Sequence, residues 1–337
     1  MRFELIVGNP PYQADTGSTA KAAYNLFIDM ALYLCDRVVF IVPSRWMSDK
    51  PNGLESTWLN MMRTRNDFVK IVDFADSSYC FKDVSISGGV CYFLINKRYH
   101  GNVDVKYIDK NGDCSERKGV LAYNGVVIRN QRLLEIVTKV SKLGEVGLDS
   151  IIGTSRQFSP NDSYFNTNWS GFSNIKDSVN YIRYFTSSRV TDDEAYVSEK
   201  DLPDGTLGLV KEYKLFVPIT GPTNNEIVKI PFIGGKNSCC SRTYTVVHGD
   251  AVNNEKKALN CIKYWKTKFL RVLVSAVKTT QHATRQVYRF VPLQDFSDES
   301  VIDWDRTVDE IDMQLYKKYR LSDNEIEYIE ITIKALE

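Results

Sequence analysis

Residues 3–12 read Phe-Glu-Leu-Ile-Val-Gly-Asn-Pro-Pro-Tyr, an apolar strand that runs straight into a turn made of one amide, two prolines and an aromatic ring. Leu5, Ile6 and Val7 have the character of a buried strand, Gly8 lets the backbone turn closely, and Pro10 and Pro11 fix φ and remove two N–H donors. The carbonyls of such a turn face outward. Asn9 Oδ1 and the Pro10 carbonyl together can accept both hydrogens of an exocyclic amine, and Tyr12 offers a ring on which a planar heterocycle stacks. Asn9, Pro10, Pro11 and Tyr12 are therefore the first candidate site residues. The plain alternative is an ordinary strand followed by a Pro-rich loop, and the downstream pattern has to decide between them.

Outward from this stretch, the next hundred residues alternate in the manner of an open α/β sheet. Gln13 to Lys21 is a small, polar loop; Tyr24, Phe27, Ile28, Ala31 and Leu34 then fall at helical spacing. Val38 to Val42 is a β-branched run closed by Pro43-Ser44-Arg45-Trp46. Leu54 to Arg65 predicts a second helix with Trp58, Met61 and Met62 inward, Val69 to Phe74 a third strand, and Ile86 to Asn96 a fourth. Strand–helix–strand alternation predicts a largely parallel sheet with functional residues at the carboxyl ends of the strands. Arg45 and Trp46 end the second strand and so are placed to line the same cleft, although a core Trp and a surface Arg are the more ordinary reading.

With 337 residues, 43% of them hydrophobic and 25% charged, the chain is long enough for two cores. No apolar run reaches the length of a membrane span and no signal pattern opens the chain, so a cytoplasmic location with no membrane partner is expected. The seven cysteines include no Cys-x-x-Cys pair and the three histidines have no ligand spacing, so reduced structural thiols and no metal are expected. Net charge is only +1, but it is unevenly spread. Lys236 to Arg289 holds eleven Lys/Arg against two acids, and Asp295 to Glu337 thirteen acids against five bases. Either the two segments pair with each other, or the basic one contacts phosphates. For the second case, Lys268, Arg271, Lys278, Gln281 and Arg285 combine cations with an amide able to read an adenine edge.

The order Asn-Pro-Pro-Tyr (9–12), Tyr-Asn-Leu-Phe (24–27), Pro-Ser-Arg-Trp (43–46) and Gly-Gly-Val-Cys-Tyr-Phe-Leu (88–94) resembles the N6-adenine-specific DNA methyltransferases of restriction–modification systems. The likeness continues through Val127-Ile128-Arg129-Asn130, Thr154-Ser155-Arg156, Tyr264 to Arg271, Lys278 to Gln281, Phe290-Val291-Pro292 and Leu315 to Tyr319, nearly the whole chain. It implies an α/β fold: a partial Rossmann-like methyltransferase sheet followed by an α+β target-recognition domain. It implies S-adenosylmethionine as co-substrate, double-stranded DNA as partner, and Asn9, Pro10, Pro11 and Tyr12 as the catalytic motif. The expected division is 1–105 for the C-terminal half of the catalytic domain, 106–145 for a connecting strand and helix, 146–295 for target recognition, and 296–337 for an acidic helical segment.

One departure stands out. The family places a Gly-rich donor loop upstream of the catalytic turn, whereas here eight residues precede Asn9, and neither Gly205 to Gly208 nor Gly234-Gly235 has the strand–loop–helix context. The expectation is a methyltransferase whose donor-binding half is missing or separate, in the latter case on a second polypeptide; the alternatives are a DNA-recognition remnant without catalysis, or a fragment of a bifunctional restriction enzyme. A nuclease pattern, Pro203-Asp204 then Glu212-Tyr213-Lys214, matches literally but sits on an Asp-Gly turn and an expected strand, Tyr213 to Ile219.

Overall fold

The structure, a computed structural model, describes residues 3–14, 21–48, 53–158, 171–186, 195–220, 227–278 and 282–336. Contacts divide the chain into two units, 1–135 and 136–337. The first holds strands β1 (Ile6–Gly8), β2 (Gln13–Ala14) and β3 (Lys21–Ala22), helix α1 (Tyr24–Leu34), β4 (Arg37–Pro43), α2 (Ser56–Thr64), β5 (Phe68–Phe74), β6 (Val90–Asn96), β7 (Val103–Ile108) and β8 (Cys114–Gly119). Helix α3 (Gln131–Ser141) starts at its end.

Six of these strands form one sheet in the order β1-β4-β6-β5-β7-β8. Only β1 with β4 and β5 with β7 pair in parallel; β6 runs antiparallel to both its neighbours, as β8 does to β7. The sheet is therefore mixed, where the alternation predicted a largely parallel one. A parallel neighbour needs a crossover of a dozen or more residues, usually a helix. Between β5 and β6 the chain has only a 3-10 turn, Ser77–Tyr79, and bends, so it re-enters the sheet from the end at which it left. The functional consequence survives the correction: β1, β4, β5 and β7 share a direction, and their carboxyl ends meet the amino end of β6 on one rim. Val90 is paired with both Pro43 and Phe74 there.

Helix α1 forms because Tyr24, Ile28 and Ala31 recur at helical spacing, and these side chains are buried. In α2 the buried stripe is Trp58, Leu59, Met62 and Arg63; Met61 falls off it and is exposed, contrary to its expected inward position. Both helices close one face of the sheet over Val38, Phe40, Val42, Phe68, Ile71, Phe93 and Ile95. The sheet extends past residue 105, since β7 and β8 continue it.

The second unit contains β9 (Ile182–Phe185), β10 (Tyr196–Val197), α4 (Leu207–Lys211), β11 (Leu215–Pro218), β12 (Phe232–Ile233), β13 (Ser238–Cys240), β14 (Tyr244–Val247), α5 (Glu255–Lys266), α6 (Lys268–Ser275), α7 (Val308–Lys318) and α8 (Asp323–Thr332). Two three-stranded sheets, β10-β9-β13 and β12-β11-β14, bury a core around Tyr184, Phe216 and Tyr244. Strand β11 is buried at three successive positions and does not alternate. The acidic segment joins this unit through Phe269 of α6, which stacks on Tyr319 at 4.8 Å. Among the described residues, no helix is long and apolar enough to cross a membrane.

Candidate active site

Strand β1 delivers the turn to the rim. Gly8 packs closely against β4: a Cβ there would meet the Phe40 ring at 3.2 Å. Beyond it Asn9 is exposed, Pro10 buried, Pro11 exposed and Tyr12 half-buried. The Tyr12 carbonyl accepts from Ala23 N at 3.1 Å, which ties the exit of the turn to the start of α1. Asn9 thus presents its amide to solvent from a backbone held at both ends.

Tyr12 points its hydroxyl inward. Burial, with the Cys91 and Cys80 thiols nearby, pushes that hydroxyl up to about 12. Tyr24, fully buried at the start of α1, is raised too, by burial and Cys91, against an opposing effect of Arg45. Neither hydroxyl has a hydrogen-bond partner among the described residues. Tyr12 and Tyr24 thus both lie within electrostatic reach of the Cys91 thiol of β6.

Arg45 and Trp46 lie on a 3-10 turn, Ser44–Met47. Trp46 is a core residue, stacked on Phe68 at 5.9 Å, as the ordinary reading had it. Its carbonyl accepts from Arg63 Nη2 at 3.2 Å, so α2 anchors the turn. Arg45 is half-buried and abuts Gly88. Below the turn lies an ion pair that sequence reading did not single out. Asp73, buried in β5, receives Arg129 through Nε and, at 2.6 Å, through Nη2. Ser44 Oγ donates to the same carboxylate at 2.5 Å, and Arg129 Nη1 to the Gly88 carbonyl at 2.9 Å. The signal for it was present: an aspartate inside the apolar run Ile-Val-Asp-Phe (71–74) must find a cation.

In the second unit the candidate cations are scattered in role. Lys268 pairs with Glu330, Lys256 with Asp298, and Lys263 donates to the Trp304 carbonyl at 2.5 Å. Arg271 is buried and donates to the Lys334 carbonyl at 2.6 Å. The basic and acidic segments thus do pair with each other. Arg271 serves the C-terminal segment, whereas a phosphate contact needs a solvent-facing cation. Lys278 is half-buried, its ammonium pulled down by burial, and Arg285 is exposed. Gln281 lies outside the described residues.

The nuclease pattern does not assemble a site. Lys214 is completely buried, and its ammonium donates to the carbonyls of Val210, Glu212 and Gly235 and to Ser238 Oγ at 2.8–3.2 Å. Burial pulls it down to about 8. An ammonium so enclosed is structural. Gly205 has φ +80°, in keeping with the Asp-Gly turn. Among the described residues no group of three or more His, Cys, Asp or Glu could hold a metal.

Residues 1–81, which carry the catalytic-turn candidate, α1, β4 and β5, match the Eco57I restriction-modification methylase family. A protein of Mycoplasma pneumoniae described as an uncharacterized adenine-specific methylase is 32% identical over 162 residues, covering 42% of this chain and 37% of its own. Both sequence comparisons are to methylases, the first a restriction–modification family and the second described as adenine-specific. The chain spans little more than a third of that relative's length. Among solved structures, the type IIL restriction-modification enzyme MmeI in complex with DNA is 9% identical, with 98% of this chain and 52% of that one covered and a TM-score of 0.44. The type IIG restriction endonuclease BpuSI is 12% identical, with 94% and 49% covered and a TM-score of 0.38.

Proposed function

We propose that this chain supplies the catalytic turn and the target-recognition part of a DNA adenine N6-methyltransferase of a restriction–modification system. The observation that carries the reading is the Asn9–Tyr12 turn itself: an exposed amide at the carboxyl end of a sheet strand, beside a buried proline and an inward-rooted tyrosine. Its chemistry needs no acid or base of unusual strength. The adenine N6 lone pair is delocalised into the ring, and acceptance of both its hydrogens by Asn9 Oδ1 and the Pro10 carbonyl favours the pyramidal nitrogen over the flat one. Tyr12 stacks on the captured base, a contact worth about 1–3 kcal/mol.

S-adenosylmethionine is the methyl donor of this reading. Among the described residues, no strand leads through a Gly-rich loop into a helix, and Gly89 is used otherwise: a Cβ there would lie 1.9 Å from the Phe74 carbonyl oxygen. The donor therefore has no cradle on the described residues, and we assign its binding to a separate α/β segment, in the same polypeptide or another. The free edge of β1 supports this assignment. Among the described residues β1 has one neighbour in the sheet, and Phe3, Leu5 and Val7 along it are exposed. For the DNA we assign Arg45, Lys278 and Arg285.

The test is co-expression with a polypeptide that carries a methyltransferase donor-binding half, in a host without adenine methylation. N6-methyladenine in the host DNA, counted by mass spectrometry, is expected with the wild-type chain and absent with Asn9→Ala; equal counts in both would overturn the assignment.

A further inference from the structure

We infer that Ser44, Asp73 and Arg129 are positioning residues that hold Arg45 and the floor beneath Tyr12 at the height needed to receive the target base. This inference rests on the methyltransferase reading and adds residues that the turn alone does not reveal. The geometry is continuous. Arg129 grips Asp73 with two nitrogens, a fork that fixes direction as well as charge, and its third contact runs to the Gly88 carbonyl. Ser44 binds the same carboxylate through its side chain and the Gly89 carbonyl through its backbone N–H at 3.0 Å. The end of β4, the end of β5 and the loop entering β6 are thereby locked to one buried charge pair.

Two groups of the site stand on this lock. Arg45 follows Ser44 directly and sits over Gly88, two supports that belong to the network. Cys91, fully buried, is the sheet partner of Asp73 in β5 and packs in one core with Tyr24 and Trp46, within electrostatic reach of Tyr12. Glycine at 88 and 89, with φ of +88° and +83°, lets the loop pass close enough for these contacts. Arg129 also lies 5.1 Å over the Tyr107 ring, which fixes its far side. A charge pair with this many tethers on a strand-end rim does more than fill space: displacement of a reacting group by about 1 Å costs on the order of 100-fold in rate.

Ser44→Ala tests the role while sparing the fold, because it removes one hydrogen bond and leaves the ion pair intact. With the co-expressed system, purified, and unmethylated host DNA as substrate, kcat should fall by about tenfold, with KM for DNA changed by less than about twofold and the melting temperature nearly unchanged. Asp73→Asn should lower kcat by about 100-fold, and Arg129→Lys should fail to restore it, since an ammonium cannot reproduce the fork. A Ser44→Ala protein with wild-type kcat would overturn the inference while leaving the methyltransferase reading intact. A fall in kcat matched by a fall in melting temperature for every variant would overturn it as well, as mere stabilisation. A wild-type system without methylation would instead sink the reading on which it rests.

Discussion

If the turn works as proposed, Asn9 and Tyr12 act at different stages, and single substitutions separate them. Asn9→Ala removes an acceptor whose bond strengthens as the amine pyramidalises, so turnover should fall by about 100-fold or more while DNA affinity stays within about threefold. Equal losses in a filter-binding and a methylation assay would contradict this. Tyr12→Ala should weaken base capture, whereas Tyr12→Phe should be nearly neutral, because the hydroxyl it deletes is buried without a partner among the described residues. Lys214 gives a third prediction. Lys214→Met strands three carbonyls and a hydroxyl, so it should lower the free energy of unfolding by about 2–4 kcal/mol in a denaturant titration. The turn at 9–12 was legible in the sequence because strand, glycine and prolines dictate a local conformation. For the Asp73–Arg129 pair the sequence showed only that Asp73 needs a partner; which cation answers it was not legible, because Arg129 lies 56 residues away and only the tertiary fold brings the two together.

At the scale of elements, β1, α1, β4, α2, β5 and β6 were readable from periodicity; β7 and β8 were not, and neither was the direction of β6, since a run such as Val90 to Asn96 reads the same either way. The joining of the basic and acidic segments also depended on tertiary contacts. Asp312 of α7 lies at its centre, accepting from Lys268 N and Phe269 N at 2.9 and 2.8 Å at the start of α6. Burial raises its carboxyl to about 7; the two N–H donors and Arg271 oppose that shift, and Glu330 adds to it. The folded chain therefore keeps a proton that the unfolded chain loses near pH 4. Stability from this group is fully present below that pH and is lost as pH rises through about 7. Urea unfolding at pH 5 and pH 8 should show the wild type losing stability over this interval and Asp312→Asn losing less. A larger loss in the variant would refute the link. For the same reason neutralising Lys268 or Arg271 should lower stability first, and DNA affinity only in proportion.

For the whole molecule, the decisive question is what completes the rim beside Asn9. A strand laid parallel along the free edge of β1 would end within about 5 Å of the catalytic turn, the spacing of neighbours in a sheet, and its outgoing loop would face the amine held there. The exposed apolar surface agrees with such an arrangement: Val7 is 67% exposed on the edge, and Leu26, Met30 and Tyr33 form an exposed stripe on α1, with Tyr33 at 87%. Edges and stripes of this kind are ordinarily covered in a working assembly. Two expectations follow from one cause. Calorimetric titration of this chain alone with S-adenosylmethionine should give binding weaker than millimolar, and adding a polypeptide that carries the donor-binding half should bring it to micromolar while protecting the amides of β1 from hydrogen exchange. Replacing Val7 by lysine should abolish the gain without altering the melting temperature of the isolated chain, since that side chain faces solvent. Micromolar binding by this chain alone would mean that a donor pocket exists on it, and the division of labour proposed for the rim would fall.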